Sequence, residues 1–168
     1  MALTGYLNIN VALTETKTGD LGTGSFPVTR TYTWTLGTSG VGANQADLVF
    51  SDSRALAAGA NENLDLNALL VGAFGTTITM VKLKALLIAA AAGNTVDLTV
   101  GRGATNGVPW LSAVSSGVVV RPGGVQCWAA PDLAGIGVVA GTADLINVAA
   151  GAGSGSQSYD VVIVGTSA

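Results

Sequence analysis

Leu3, Gly5, Leu7, Ile9, Val11 and Leu13 alternate with Tyr6, Asn8, Asn10, Ala12 and Thr14. A period of two puts successive side chains on opposite faces, so Leu3–Thr14 is predicted to be a strand with one buried side. Thr16–Pro27, rich in Gly, Thr and Ser, reads as a loop. Thr29–Leu36 alternates again, with Thr29, Thr31, Thr33 and Thr35 on one face and Arg30, Tyr32, Trp34 and Leu36 on the other. β-Branched and aromatic residues suit a pleated sheet. Gly37–Asn44 reads as a turn, Gln45–Ser51 and Leu64–Leu66 as short strands, and Asn67–Phe74 as a helical turn before Gly75.

Thr76–Ala92 carries two signals. Lys82–Ala92 consists largely of good helix formers. The β-branched lead-in Thr76-Thr77-Ile78-Thr79 and the lack of an N-cap favour a strand. In that strand Val81, Leu83, Ala85 and Leu87 would face inward, and Met80, Lys82 and Lys84 outward. A turn at Gly93-Asn94 would then make a hairpin with Thr95–Val100.

The rest divides into short pieces. Gly101–Gly107 is a glycine-rich loop, and Trp110–Val114 and Gly117–Arg121 flank a Ser115-Ser116 turn. Pro122-Gly123-Gly124 is a strong turn signal. Val125–Ala130, Gly135–Ala140, Ala143–Ala149 and Tyr159–Gly165 read as strands, the last ending the chain without a tail. About nine or ten short strands and no long helix predict an all-β fold, an antiparallel, jelly-roll-like β-sandwich. A single domain over residues 1–168 is expected, with 1–28 as an N-terminal arm and loop.

Composition narrows the function. The 168 residues include no histidine, one cysteine and 24 glycines; 49% are hydrophobic and 10% charged. Ser-His-Asp, Cys-His and His-zinc arrangements are therefore excluded. The net charge of −3 and seven scattered basic residues argue against a nucleic-acid partner. The longest uncharged apolar run, Ala85–Gly93, is about half the ~20 residues of a membrane-spanning helix, so no membrane partner is expected. The N-terminus lacks the basic and apolar regions of a secretory signal, so synthesis in a cytoplasm is expected. So much apolar surface on one domain points to contacts with other subunits.

Individual residues add little chemistry. Lys82 and Lys84 read as solvated charges on an outward face, and Cys127 as a buried, inert thiol. Neither Asp47 with Asp52 nor Glu62 with Asp65 falls on one strand face, as a paired-carboxylate site would require. The acids Asp20, Asp52 and Asp132 sit at turn edges, where Asp bonds local backbone. Gly101–Gly107 and Gly151–Ser156 lack the features of a phosphate loop. Trp34, Trp110 and Trp128 read as core or interface residues, with a carbohydrate site as the alternative. No catalytic residue, cofactor or metal is expected.

The second half, roughly residues 60–168, resembles a family of small phage and prophage virion proteins. The resemblance runs through Leu64-Asp-Leu66, Thr76–Ile88, Val96–Gly101, the Val119-Val-Arg-Pro-Gly-Gly124 turn, Ala129-Ala-Pro-Asp132, Gly141-Thr-Ala-Asp-Leu145 and Tyr159–Ala168. The first 60 residues show no comparable match. The resemblance implies a jelly-roll-like head-decoration, or cement, protein on the capsid exterior. Its expected partners are the major capsid protein and further copies of itself, with a trimer favoured. Candidate contacts are Leu3, Leu7, Ile9, Val11, Leu13, Tyr32 and Trp34. A tail-fibre or adhesin-type domain binding a receptor or glycan is the alternative.

Overall fold

The computed structural model describes residues 2–114 and 116–168. Eleven strands are found among them and no helix. They are β1 (Gly5–Gly19), β2 (Gly22–Leu36), β3 (Leu48–Ala57), β4 (Asn61–Asp65), β5 (Lys82–Ala90), β6 (Leu98–Arg102), β7 (Gly117–Val120), β8 (Val125–Ala129), β9 (Ile136–Gly137), β10 (Leu145–Ala150) and β11 (Ser156–Thr166). Every ladder between these strands is antiparallel. One sheet runs β4-β10-β6-β7; the other runs β3-β11-β5-β8, with β9 also on β5. β1 and β2 form a separate two-stranded ribbon. The expected all-β, antiparallel sandwich is the fold.

The core lies between the two larger sheets. Phe50, Ile163, Leu86 and Trp128 make one row across the inner face of the β11 sheet. Val148 and Val100, and Leu64 and Ile146, lie side by side in the facing sheet. Every second residue of β10 and of most of β11 is buried, so one set of side chains fills one apolar layer. At about 25 cal/mol per Å² of apolar surface, this layer supplies the main driving force.

Several local expectations are corrected. The segment 16–27 is strand, not loop: β1 and β2 pair over their whole length, from Gly5↔Leu36 to Gly19↔Gly22, around an Asp20-Leu21 turn. Asn67–Phe74 forms turns rather than a helical turn. β5 and β6 are not a hairpin, because β5 pairs β11, β8 and β9 while β6 pairs β10 and β7. The Gly93-Asn94 turn therefore carries the chain from one sheet to the other. Trp110–Val114 is turn and bend, and Ser115 lies outside the described residues.

β5 is a strand as expected, but its facing changes partway. Val164 pairs Ala85 while Gly165 pairs Leu83, so Lys84 is the extra residue of a bulge. Leu83 is inward as predicted; beyond the bulge the inward residues are Leu86, Ile88 and Ala90. Val81 is exposed and Met80 fully buried, opposite to expectation. Lys84 is buried, not solvated, and its ammonium donates to the carbonyl of Asp132.

Candidate functional site

The register of the β1–β2 ribbon sorts its side chains cleanly. Residues opposite one another in an antiparallel pair share a face. Leu7↔Trp34, Ile9↔Tyr32, Val11↔Arg30, Leu13↔Val28 and Glu15↔Phe26 therefore form one face. Asn8↔Thr33, Asn10↔Thr31, Ala12↔Thr29 and Thr16↔Ser25 form the other. One face is apolar with a few charges, the other threonine and asparagine. Thr31 donates to Asn10 across the polar face at 3.2 Å.

Only the root of this ribbon is anchored. Trp34 and Leu36 are buried with Ala46 and Ala85, and Leu3, Leu7 and Val164 pack against them. The root thus covers one end of the outer face of the β11 sheet. Farther out the apolar face meets nothing within the chain: Leu13 is 64% exposed, Phe26 66% and Tyr32 66%. The buried side predicted for Leu3–Thr14 is not buried within the chain beyond Leu7.

The seven expected contact residues divide accordingly. Leu3, Leu7 and Trp34 belong to the anchor, while Ile9, Val11, Leu13 and Tyr32 lie on the bare face. Phe26 joins that face from the segment whose composition reads as a loop, and Leu21 in the turn beyond it is exposed. Phe26 carries a local signal all the same, because it continues the even-numbered series of Arg30, Tyr32 and Trp34.

A small apolar cleft opens at the root. It has about 230 Å³ and is lined by Leu7, Trp34 and Leu36 of the ribbon and Leu87, Cys127 and Val162 of the sheet. Cys127 is only half-buried, and burial raises its thiol pKa above the ordinary value. No family model, curated protein or solved structure matches this chain.

Two polar features lie elsewhere. Where β3 and β4 edge the two sheets, Arg54 donates from Nε to Glu62 at 2.9 Å and from Nη1 to Asp52 at 2.9 Å. The Tyr159 hydroxyl donates to the other Glu62 oxygen at 2.7 Å. Burial pushes the Glu62 carboxyl up, but the bonds from Arg54 and Tyr159 outweigh it and hold it below its ordinary value. Burial and the Glu62 carboxylate raise the Tyr159 hydroxyl well above its ordinary value. This cluster ties one sheet to the other, and both Glu62 oxygens are engaged. Glu62 and Asp65 are not brought together as a pair: Asp65 instead caps the following turn, accepting from the amides of Asn67 and Ala68 at 2.9 and 3.0 Å.

The second feature is a polar cleft of about 350 Å³ on the outer face of the β10 sheet, lined by Asn61, Asn63, Asn147, Thr99 and Arg102. Asn147 spends its amide on Asn63 at 2.9 Å and on the Glu62 carbonyl at 3.2 Å. Trp34 and Trp110 are buried, so neither offers a ring for stacking a sugar. Among the described residues no three His, Cys, Asp or Glu side chains cluster as metal ligands. No helix there is long and apolar enough to cross a membrane.

Proposed function

We propose that this chain is a virion structural protein that decorates and stabilises a bacteriophage capsid through protein–protein contacts. In this reading the jelly-roll-like sandwich is the body and the β1–β2 ribbon is the assembly arm. The observation that carries it is the ribbon's apolar face, bare from Ile9 to Phe26. A two-stranded hairpin is marginal in water by itself, and a contiguous apolar face of this length calls for a covering polypeptide. The placement on a virion rests on the resemblance of residues 60–168. The partners would be the major capsid protein and other copies of this chain, on the particle exterior.

The test is pelleting with capsids that lack the protein, prepared from the phage that encodes it. The full chain should sediment with the particles. A variant with Val11–Arg30 replaced by a two-residue Asn-Gly turn should stay in the supernatant. Equal occupancy by both, or none by the full chain, overturns the proposal.

A receptor- or glycan-binding β-sandwich is the second reading. The polar cleft at Asn61, Asn63 and Arg102 favours it. A glycan-array signal lost in an Asn63→Ala, Arg102→Ala variant would support this reading over the first.

A further inference from the structure

We infer that two copies of this chain pair through their hairpins, apolar face on apolar face and antiparallel, so that the tip of each reaches the root of the other. The inference rests on the hairpin being an assembly arm and names what the arm grasps.

The ribbon's own sequence sets the register. Its strands pair residue n of β1 with residue 41 − n of β2. The apolar face carries Arg30 level with Val11, Glu15 level with Phe26, and Lys17 level with Gly24. Within one ribbon, Arg30 and Glu15 are four levels apart, about 13 Å, too far to pair. In a parallel stack like charges come level: Arg30 with Arg30, Glu15 with Glu15, Lys17 with Lys17. An antiparallel stack with its two-fold axis at Leu13–Val28 reverses this. Arg30 of one copy then lies level with Glu15 of the other and above the ring of Phe26, where ion-pair and cation–π attraction act together. Leu13 and Val28 meet their own counterparts on the axis.

The same register meets two shape requirements. Tyr32 comes to lie over Gly24, so its exposed ring faces a position without a side chain. The turn residues Asp20 and Leu21 reach the level of Tyr6 and Thr35 in the other copy. Leu21 is fully exposed at 105%, and at that level lies the apolar cleft of about 230 Å³. A chain's own tip cannot fill its own cleft, because fifteen paired residues hold the two about 50 Å apart. The exposed apolar side chains amount to roughly 600 Å² per copy and about 1,200 Å² for the pair, the lower end of a specific interface.

The experiment is sedimentation equilibrium of the full chain at micromolar concentration, beside Glu15→Arg, Arg30→Glu, the double reversal, and Leu21→Asp. The wild type should be dimeric. Each single substitution should weaken the dimer at least tenfold, and the double reversal should restore it. Thermal unfolding confirms that the sandwich remains folded in each variant, since all three positions are solvent-exposed. A monomeric wild type, single reversals without effect, or a double reversal that fails to restore pairing each overturns the inference, as does a trimer insensitive to these charges. Particle pelleting of the same proteins separates the two proposals. A monomer that still binds capsids overturns the pairing alone, and a dimer that binds none overturns the capsid reading alone.

Discussion

At the scale of single residues, the two most informative side chains are charged ones that the fold has covered. Glu62 accepts from Arg54 and Tyr159 together. Its carboxyl sits below the ordinary value of 4.5, so it contributes stability that is present above that pH and lost as pH falls through the folded value. Glu62→Gln should therefore flatten the decline in unfolding free energy below about pH 4.5, read by urea titration at a series of pH values. Tyr159→Phe should cost about 1.5–3 kcal/mol, because the lost bond is to a charged acceptor inside the protein. Lys84 behaves differently. Its burial lowers the ammonium's pKa, partly opposed by Asp132, so the charge is tolerated rather than favoured. Lys84→Met, which keeps the stem, should change stability by less than about 1.5 kcal/mol, whereas Lys84→Ala should cost about 2–4 kcal/mol through the cavity it leaves. Thermal unfolding of both variants checks this. Equal losses would show that the ammonium, not the stem, matters. The sequence alone points Lys84 outward, because an alternating pattern contains no sign of a bulge.

At the scale of elements, the hairpin and the sandwich should behave as separate cooperative units. Beyond Leu7 and Trp34 the ribbon contributes nothing to the core. Amides of Ile9–Leu13 and Phe26–Tyr32 should exchange with solvent much faster than those of β11 in a dilute, unassembled sample. Replacing Val11–Arg30 by a short turn should leave the unfolding midpoint of the sandwich within a few degrees. Gly22 holds φ at 133°, a backbone conformation in which a side chain is strained. Gly22→Val should destabilise the hairpin by about 1–2 kcal/mol without changing the sandwich. The strands themselves are legible because alternation over six or more residues matches the two-residue period of a pleated strand and not the 3.6-residue period of a helix. The turn at Asp20-Leu21 is not, because its polar, glycine-rich surroundings have the composition of a loop.

At the scale of the molecule, β11 is the keystone. It lies between β3 and β5, so the sheet it belongs to is closed only when the end of the chain meets residues 48–57. Pairing so distant in sequence is slow to form, and refolding is expected over milliseconds to seconds in stopped-flow fluorescence. Truncation before Ser156 should abolish the cooperative transition rather than weaken it, which a melting curve would show directly.

The sequence by itself determined the all-β class, most strand positions and the amphipathic face of the N-terminal segment. Those depend on local period and on glycine and proline punctuation, which can be read residue by residue. Tertiary structure decided which strands pair, that β5 and β6 belong to different sheets, and that Lys84 turns inward. It also decided that the N-terminal segment pairs edge to edge with 22–36, in a ribbon whose apolar face beyond Leu7 stays outside the core. Alternation states that a strand has a face to bury; only the packing of the whole chain shows that its own core does not cover it.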